Sequence, residues 1–217
     1  MKIEDINKTG RRVFYNPTTK LEYEFLAQKS LGPNTFRGFH KIDKIKPGSS
    51  HVFKSVLIEN SQSIIKQLNN LKTEKELNDF SNELCKELLK GLKKNINNKQ
   101  LASYNKIRKP VDIVIEHLVS MGEDFNQARE RITKHLFLPL DSQMFQSEFV
   151  FSNSEIRKLN LSRRFTFKDI YEIEHYFTIQ EYLKNKASKI GLEERIYFDL
   201  IWNNRYNSKG GNLFETN

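Results

Sequence analysis

Residues 110–136, PVDIVIEHLVSMGEDFNQARERITKHL, constrain the fold more than any other stretch of the chain. Val111, Val114, Ile115, Leu118, Phe125, Ile132 and Leu136 recur at helical spacing, about 100° per residue. Pro110 suits a first helical turn, where its missing N–H leaves no bond unmade. Pro139 marks a stop, because the residue before a proline is driven out of the α region. A helix over this span runs roughly 40 Å at about 1.5 Å per residue. An element of that length crosses most of a domain this size, so a bundle is expected to assemble around it.

The polar residues of the stretch fall into sets. Asp112, Glu116, Glu123 and Glu130 lie within about 40° of one another at that helical step, nearly opposite the apolar stripe. They read as a solvated acidic face. Asp112 and Glu116, one turn apart, are also the pair close enough to share a divalent cation such as Mg²⁺. His117, Asp124, Arg131 and His135 fall on the flank, where a neighbouring element would form a cleft. Arg129 falls inside the apolar stripe, and a guanidinium there needs a carboxylate, carbonyl or phosphate partner. Glu116, His117, Arg129 and His135 are therefore the candidate catalytic residues, and Asp112 and Glu116 the candidate metal ligands.

The N-terminal quarter reads differently. Residues 11–15 and 21–26 flank the turn-like Asn16-Pro17-Thr18-Thr19-Lys20, and Leu21, Tyr23 and Phe25 alternate with Glu22 and Glu24. Period two is the signature of a half-buried strand, which predicts a β-hairpin. Residues 51–58, rich in Val, Phe and Ile, predict a further strand. Helical patterns follow. One covers 61–71, and a second runs from a Thr73/Glu76 capping box to Ile96. Asp141 is an N-cap signal, and a further helix covers 167–190 and ends at Gly191. The expected fold is α+β: a small antiparallel sheet over 1–58, a mainly helical bundle over 59–206 around one long central helix, and a flexible tail over 207–217.

Charge narrows the function. The net charge is +9, divided as +6 over 1–58, +5 over 59–109, −4 over 110–150 and +2 over 151–217. An acidic middle between basic flanks is a layout found in enzymes on nucleic acid, where Lys and Arg neutralise phosphates and carboxylates hold metal. Residues 35–45 mix aromatic and basic side chains, among them Arg37, His40 and Lys41, a composition that stacks on bases and holds phosphates. Arg108 and Lys109 stand at the expected helix start, where positive charge is unfavourable and a bound anion would account for them. The single cysteine, Cys85, excludes an intramolecular disulfide and thiolate zinc sites and points to a reducing cytosol. No run approaches the ~20 apolar residues of a membrane span, and no apolar segment follows Met1. No phosphate loop, dinucleotide fingerprint, HExxH pair or GxSxG elbow is present.

Two short motifs resemble known families. EIRKLNLSRRFTFKDI, residues 155–170, resembles a helix-turn-helix. The resemblance implies that Ser162 caps a recognition helix and that Arg163, Arg164 and Lys168, with Arg157 before them, face the major groove or phosphates. It departs from the pattern in lacking a small residue in the first helix and a glycine in the turn, where Asn160 stands. Thr166 with Asp169 also offers a competing cap. The Arg129-x5-His135 spacing is similar to the motif of the HEPN ribonucleases, in which an arginine and a histidine bind and cleave RNA. Glu130 departs from the polar, non-acidic residue usual after that arginine. The resulting expectation is a cytoplasmic nucleic-acid-binding protein, DNA more than RNA, extended to a Mg²⁺-dependent endonuclease of a defence or mobile-element system. The alternatives are a non-catalytic helix-turn-helix homodimer and an interaction protein with no nucleic-acid role.

Overall fold

The computed structural model describes residues 2–36, 39, 48–96, 98–202 and 213. Its elements are α1 (Ile3–Gly10), α2 (Tyr23–Lys29), α3 (Ser49–Glu59), α4 (Ser61–Asn70), α5 (Glu74–Leu92), α6 (Tyr104–Met121), α7 (Arg129–Thr133), α8 (Ser142–Gln146), α9 (Asn153–Lys158), α10 (Ile173–Ile190) and α11 (Phe198–Trp202). The helical bundle is formed; the N-terminal sheet is not. Among the described residues there is no strand; Leu21 and Gly122 form an isolated parallel bridge.

The reason lies in a second period carried by the same residues. α1 continues into a π-helical turn, Arg11–Tyr15, and the two bury Ile6, Thr9, Gly10, Val13 and Phe14. Those positions follow i, i+3, i+4, i+7, i+8, the inward stripe of a helix. α2 buries Tyr23, Leu26 and Ala27 and leaves Phe25, which a strand would have turned inward with Leu21 and Tyr23, 45% exposed. α3 buries Ser49, Val52, Phe53 and Leu57, and the Tyr23 hydroxyl donates to the Leu57 carbonyl at 2.8 Å. In runs this short both periods fit, and packing decides between them.

The central helix is shorter and starts earlier than its sequence pattern indicates. α6 begins at Tyr104, with Pro110 in its interior. It ends at Gly122, where a Cβ would stand 2.5 Å from the Leu118 carbonyl oxygen and 2.7 Å from the Phe125 ring. A 3₁₀ turn, Glu123–Phe125, and α7 follow. Phe125, Ile132 and Leu136 keep the apolar phase and enter the same core, but from separate elements.

α6 is enclosed by α2, α5, α7, α10, the Arg11–Tyr15 turn and the 3₁₀ turn Phe167–Asp169. Every residue from Asn105 to Met121 except Ile113 is buried. The expected solvated acidic face therefore does not exist: Asp112 and Glu116 are buried on α6, whereas Glu123 and Glu130 are exposed on other elements. A helix packed on all sides has no outer face to give them.

Local signals hold elsewhere. Thr73 and Glu76 form the capping box of α5, Asp141 caps α8 by accepting from the Gln143 N–H, and Gly191, at φ 81°, ends α10. The first helix is clasped to residues 191–197. Asn7 donates to the Gly191 carbonyl and accepts from the Glu193 N–H, at 2.9 and 3.1 Å. Arg11 pairs with Glu193, and the Tyr15 hydroxyl donates to Glu194. Phe14 and Tyr197 stack at 5.7 Å, and Gly10 lies so close to the Tyr197 ring that a side chain would enter it. One core cluster runs from Ile6 to Leu200 and includes Leu213. The rest of the expected 207–217 tail lies outside the described residues.

Candidate functional site

Most of the residues singled out above are engaged inside the protein. Asp112 accepts from Arg108 Nε at 2.7 Å on one oxygen and from the Tyr176 hydroxyl at 2.6 Å on the other. Arg108 Nη1 donates to Asn78, Asn82 and the Tyr104 hydroxyl, each at 3.0 Å. The guanidinium lies 4.8 Å from the Phe137 ring centroid and 5.2 Å from that of Tyr176, within cation–π reach. Burial acts to lower the Arg108 pKa, but Asp112, Tyr176 and Tyr104 outweigh it and hold the pKa well above its ordinary value. Lys109 pairs with Asp141. The anions expected beside Arg108 and Lys109 are thus two carboxylates of the chain itself. Glu116 and His117 lie on the same buried helix. Cys85 is also buried, which pushes its thiol up to about 12.

Several arginines act on backbone carbonyls. Arg129 donates to the Val119 carbonyl at 2.9 Å, the Gly122 carbonyl at 2.7 Å and Asn126 Oδ1 at 2.8 Å. Val119 belongs to the last turn of α6, whose carbonyls have no partner further along the helix. The guanidinium in the apolar stripe is therefore a helix cap. Arg131 does the same for α4, donating to the Leu71 and Asn69 carbonyls at 2.7 and 2.5 Å. Arg195 donates to the Leu136 carbonyl at 3.0 Å and lies 4.5 Å from the Phe137 ring. His135 meets the Lys72 carbonyl at 3.2 Å, and burial lowers its pKa. Arg129 and His135 thus serve different elements, the end of α6 and the α4–α5 connection.

The helix-turn-helix expectation fails at its second helix. Asn160 takes the left-handed conformation, φ 52°, that the turn glycine would supply. No helix starts at Ser162, however. The competing Thr166–Asp169 capping box forms and opens only the Phe167–Asp169 turn, and α10 begins at Ile173. Arg163 turns inward to the Phe145 and Phe151 carbonyls, at 2.9 and 2.7 Å. Arg37, His40 and Lys41 lie outside the described residues.

A different basic face is assembled over the first turn of α6. The Tyr104 and Asn105 N–H groups donate to the Tyr171 and Ile170 carbonyls at 3.1 and 3.2 Å, and Ser103 Oγ donates to the Ile170 carbonyl at 2.9 Å. These bonds lay residues 167–172 across the helix start. Lys168 is thereby brought close enough for its charge to act on Lys106. Burial, then the charge of Lys168, lowers the Lys106 pKa. The Lys106 ammonium sits 4.8 Å from the Phe39 ring centroid and forms no ion pair or hydrogen bond with any described residue. Arg157, Lys158, Arg164 and Lys168 are exposed on the preceding segment. Lys106 was not a candidate in the sequence, because Lys106, Arg108 and Lys109 look alike until two of them are seen to take carboxylates.

A surface hollow of about 490 Å³ lies elsewhere, lined by Asn69, Asn70, Glu123, Asp124 and Arg131 among others. Its carboxylates oppose an anionic ligand. No group of three or more potential metal-ligating carboxylate, histidine or cysteine side chains occurs among the described residues, and no helix there is long and apolar enough to cross a membrane. No protein family profile matches the chain, and no curated protein or solved structure was found similar to it.

Proposed function

We propose that the chain binds nucleic acid on the exposed cations Lys168, Arg157, Lys158 and Arg164, with the buried Lys106 adding its charge behind Lys168. One observation carries this reading. Among the described residues, Lys106 is an ammonium largely withdrawn from water that meets a ring and no carboxylate, and it lies close enough to Lys168 to feel its charge. A phosphate held at the exposed Lys168 would bring to both ammoniums a counter-charge that no described residue supplies. Arg164 and Lys168, drawn from the helix-turn-helix motif, keep a phosphate-facing role here without a recognition helix. The proposal is of binding alone, since both oxygens of Asp112 are occupied and Glu116 is buried beside it.

The test is fluorescence anisotropy with labelled oligonucleotides, titrated between about 50 and 200 mM salt. Each phosphate contact contributes about 0.9 to the slope of log K against log salt on duplex DNA and about 0.7 on single strands. Wild type is expected to bind at the low end and to weaken steeply as salt rises. Lys168→Glu, at an exposed position, is expected to reduce affinity on every sequence about equally and to flatten the slope. Absence of binding at low salt, or an unchanged slope in Lys168→Glu, would sink the proposal.

A further inference from the structure

We infer that the nucleic acid taken by this face is single-stranded, with one base stacked on Tyr171; the inference rests on the binding reading above. Tyr171 is 54% exposed, more than any other large hydrophobic residue described. Its ring and hydroxyl make no hydrogen bond or ring contact with any described residue. Its backbone, in contrast, is fixed: the Tyr171 carbonyl accepts from the Tyr104 N–H, and the preceding Ile170 carbonyl accepts from both Asn105 and Ser103. The result is an aromatic side chain presented to water from a fixed stretch of backbone. With the backbone already ordered, only the side-chain torsions remain to be fixed when a base stacks on the ring.

The neighbours of the ring match a nucleotide. Lys168 lies three residues before it, and Lys106 follows two residues after the Tyr104 amide that holds it. Cations for the phosphate and a π-face for the base therefore stand within one turn of the same helix end, the combination that binds single strands without sequence readout. A duplex fits less well. Its base faces are buried in the stack, so the ring would have no face to meet. Major-groove reading also needs a protruding element, and the expected recognition helix is replaced here by the Phe167–Asp169 turn. Glu172, exposed next to Tyr171, is the one charge of the segment that opposes a phosphate without being held in a cap of its own.

The experiment compares a single strand of about 20 nucleotides with the duplex of the same sequence, using wild type, Tyr171→Ala, Tyr171→Phe, Glu172→Gln and Lys168→Glu. Wild type should bind the single strand more tightly than the duplex. Tyr171→Ala should lose about 5- to 150-fold on the single strand, the range for one stacked base, and change duplex binding little. Tyr171→Phe should stay within about twofold, since stacking needs the ring and not the hydroxyl, and Glu172→Gln should bind somewhat tighter. Single-strand affinity unchanged in Tyr171→Ala, or duplex bound at least as tightly as single strand, overturns the inference. In that case Lys168→Glu still weakens both ligands and the basic-face reading stands. If neither ligand binds wild type at low salt, both fail.

Discussion

Arg129 offers the sharpest test of how this protein uses its arginines. In Arg129→Met the stem remains to fill its place between α6 and α7, but the fork that joins the Val119 and Gly122 carbonyls and Asn126 is gone. Both carbonyl bonds are buried. A buried polar group left without its partner costs about 1–3 kcal/mol. Two carbonyls, offset by not having to bury a cation, give an expected loss of about 3 kcal/mol. For a chain of this size that lowers the Tm by roughly 6–12 °C, at about 2–4 °C per kcal/mol. Urea unfolding followed by circular dichroism should show a lower midpoint with an unchanged m-value. Arg129→Lys, a single cation that cannot fork, should fall between the two. A loss in Arg129→Met below about 0.5 kcal/mol, the range of an ordinary surface substitution, would refute the capping role. So would a stable variant that had instead lost an RNA-cleaving activity, since the arginine would then be acting as in the HEPN motif.

Further outcomes are expected in the same assays. Asp112→Ala should destabilise the fold by about 3–5 kcal/mol by leaving the Arg108 charge buried and unpaired, and a loss under about 1 kcal/mol would contradict that pairing. Glu155 is held at about 2: burial works to raise its pKa, but Lys186, Tyr182 and the Ser152 N–H outweigh it. Because the folded value lies below the ordinary one, its contribution is complete above the usual carboxylate range and is lost as pH falls from there towards 2. Glu155→Gln should flatten the acid limb of a stability–pH curve over that window, and an unaltered limb would exclude the assignment. Gly10→Ala must displace the Tyr197 ring, so it should lower the unfolding midpoint and weaken the clasp between α1 and residues 191–197; an unchanged midpoint would show that the ring moves freely. Cys85 should resist thiol alkylation until the chain unfolds, which labelling across a urea series would show.

Features decided within a few residues were readable from the chain. Thr73 with Glu76, Asp141 and Gly191 each close a hydrogen-bond requirement inside one turn, so neighbouring residues sufficed to place them. The N-terminal helices were not readable in this way. Leu21, Tyr23 and Phe25 alternate as in a strand, and Tyr23, Leu26 and Ala27 repeat as in a helix; only the partner surfaces select the second pattern. The break at Gly122 escaped notice because the apolar phase continues through Phe125, Ile132 and Leu136, and periodicity does not register that the backbone has stopped and restarted. The need of Arg129 for a polar partner was legible, but which carbonyl it met was not. The site was the least legible part. Lys106 differs from Arg108 and Lys109 only in what faces it, and Tyr171 only in that its side chain finds no hydrogen-bond or ring partner among the described residues.

The clasp between α1 and residues 191–197 has a consequence for how the chain is made. Synthesis proceeds from the N-terminus, so Ile6, Gly10 and Phe14 emerge with their apolar side uncovered long before Tyr197 exists to stack on Phe14. The partners are separated by more than 180 residues. The first helix must therefore wait while more than 180 further residues are made, at roughly 5–20 residues per second on the order of ten seconds or more. During that interval its sticky face is available to chaperones or to other nascent chains. A polypeptide truncated before residue 191 would never acquire the covering segment, so the apolar side of the first helix would stay bare however well the intervening helices had folded.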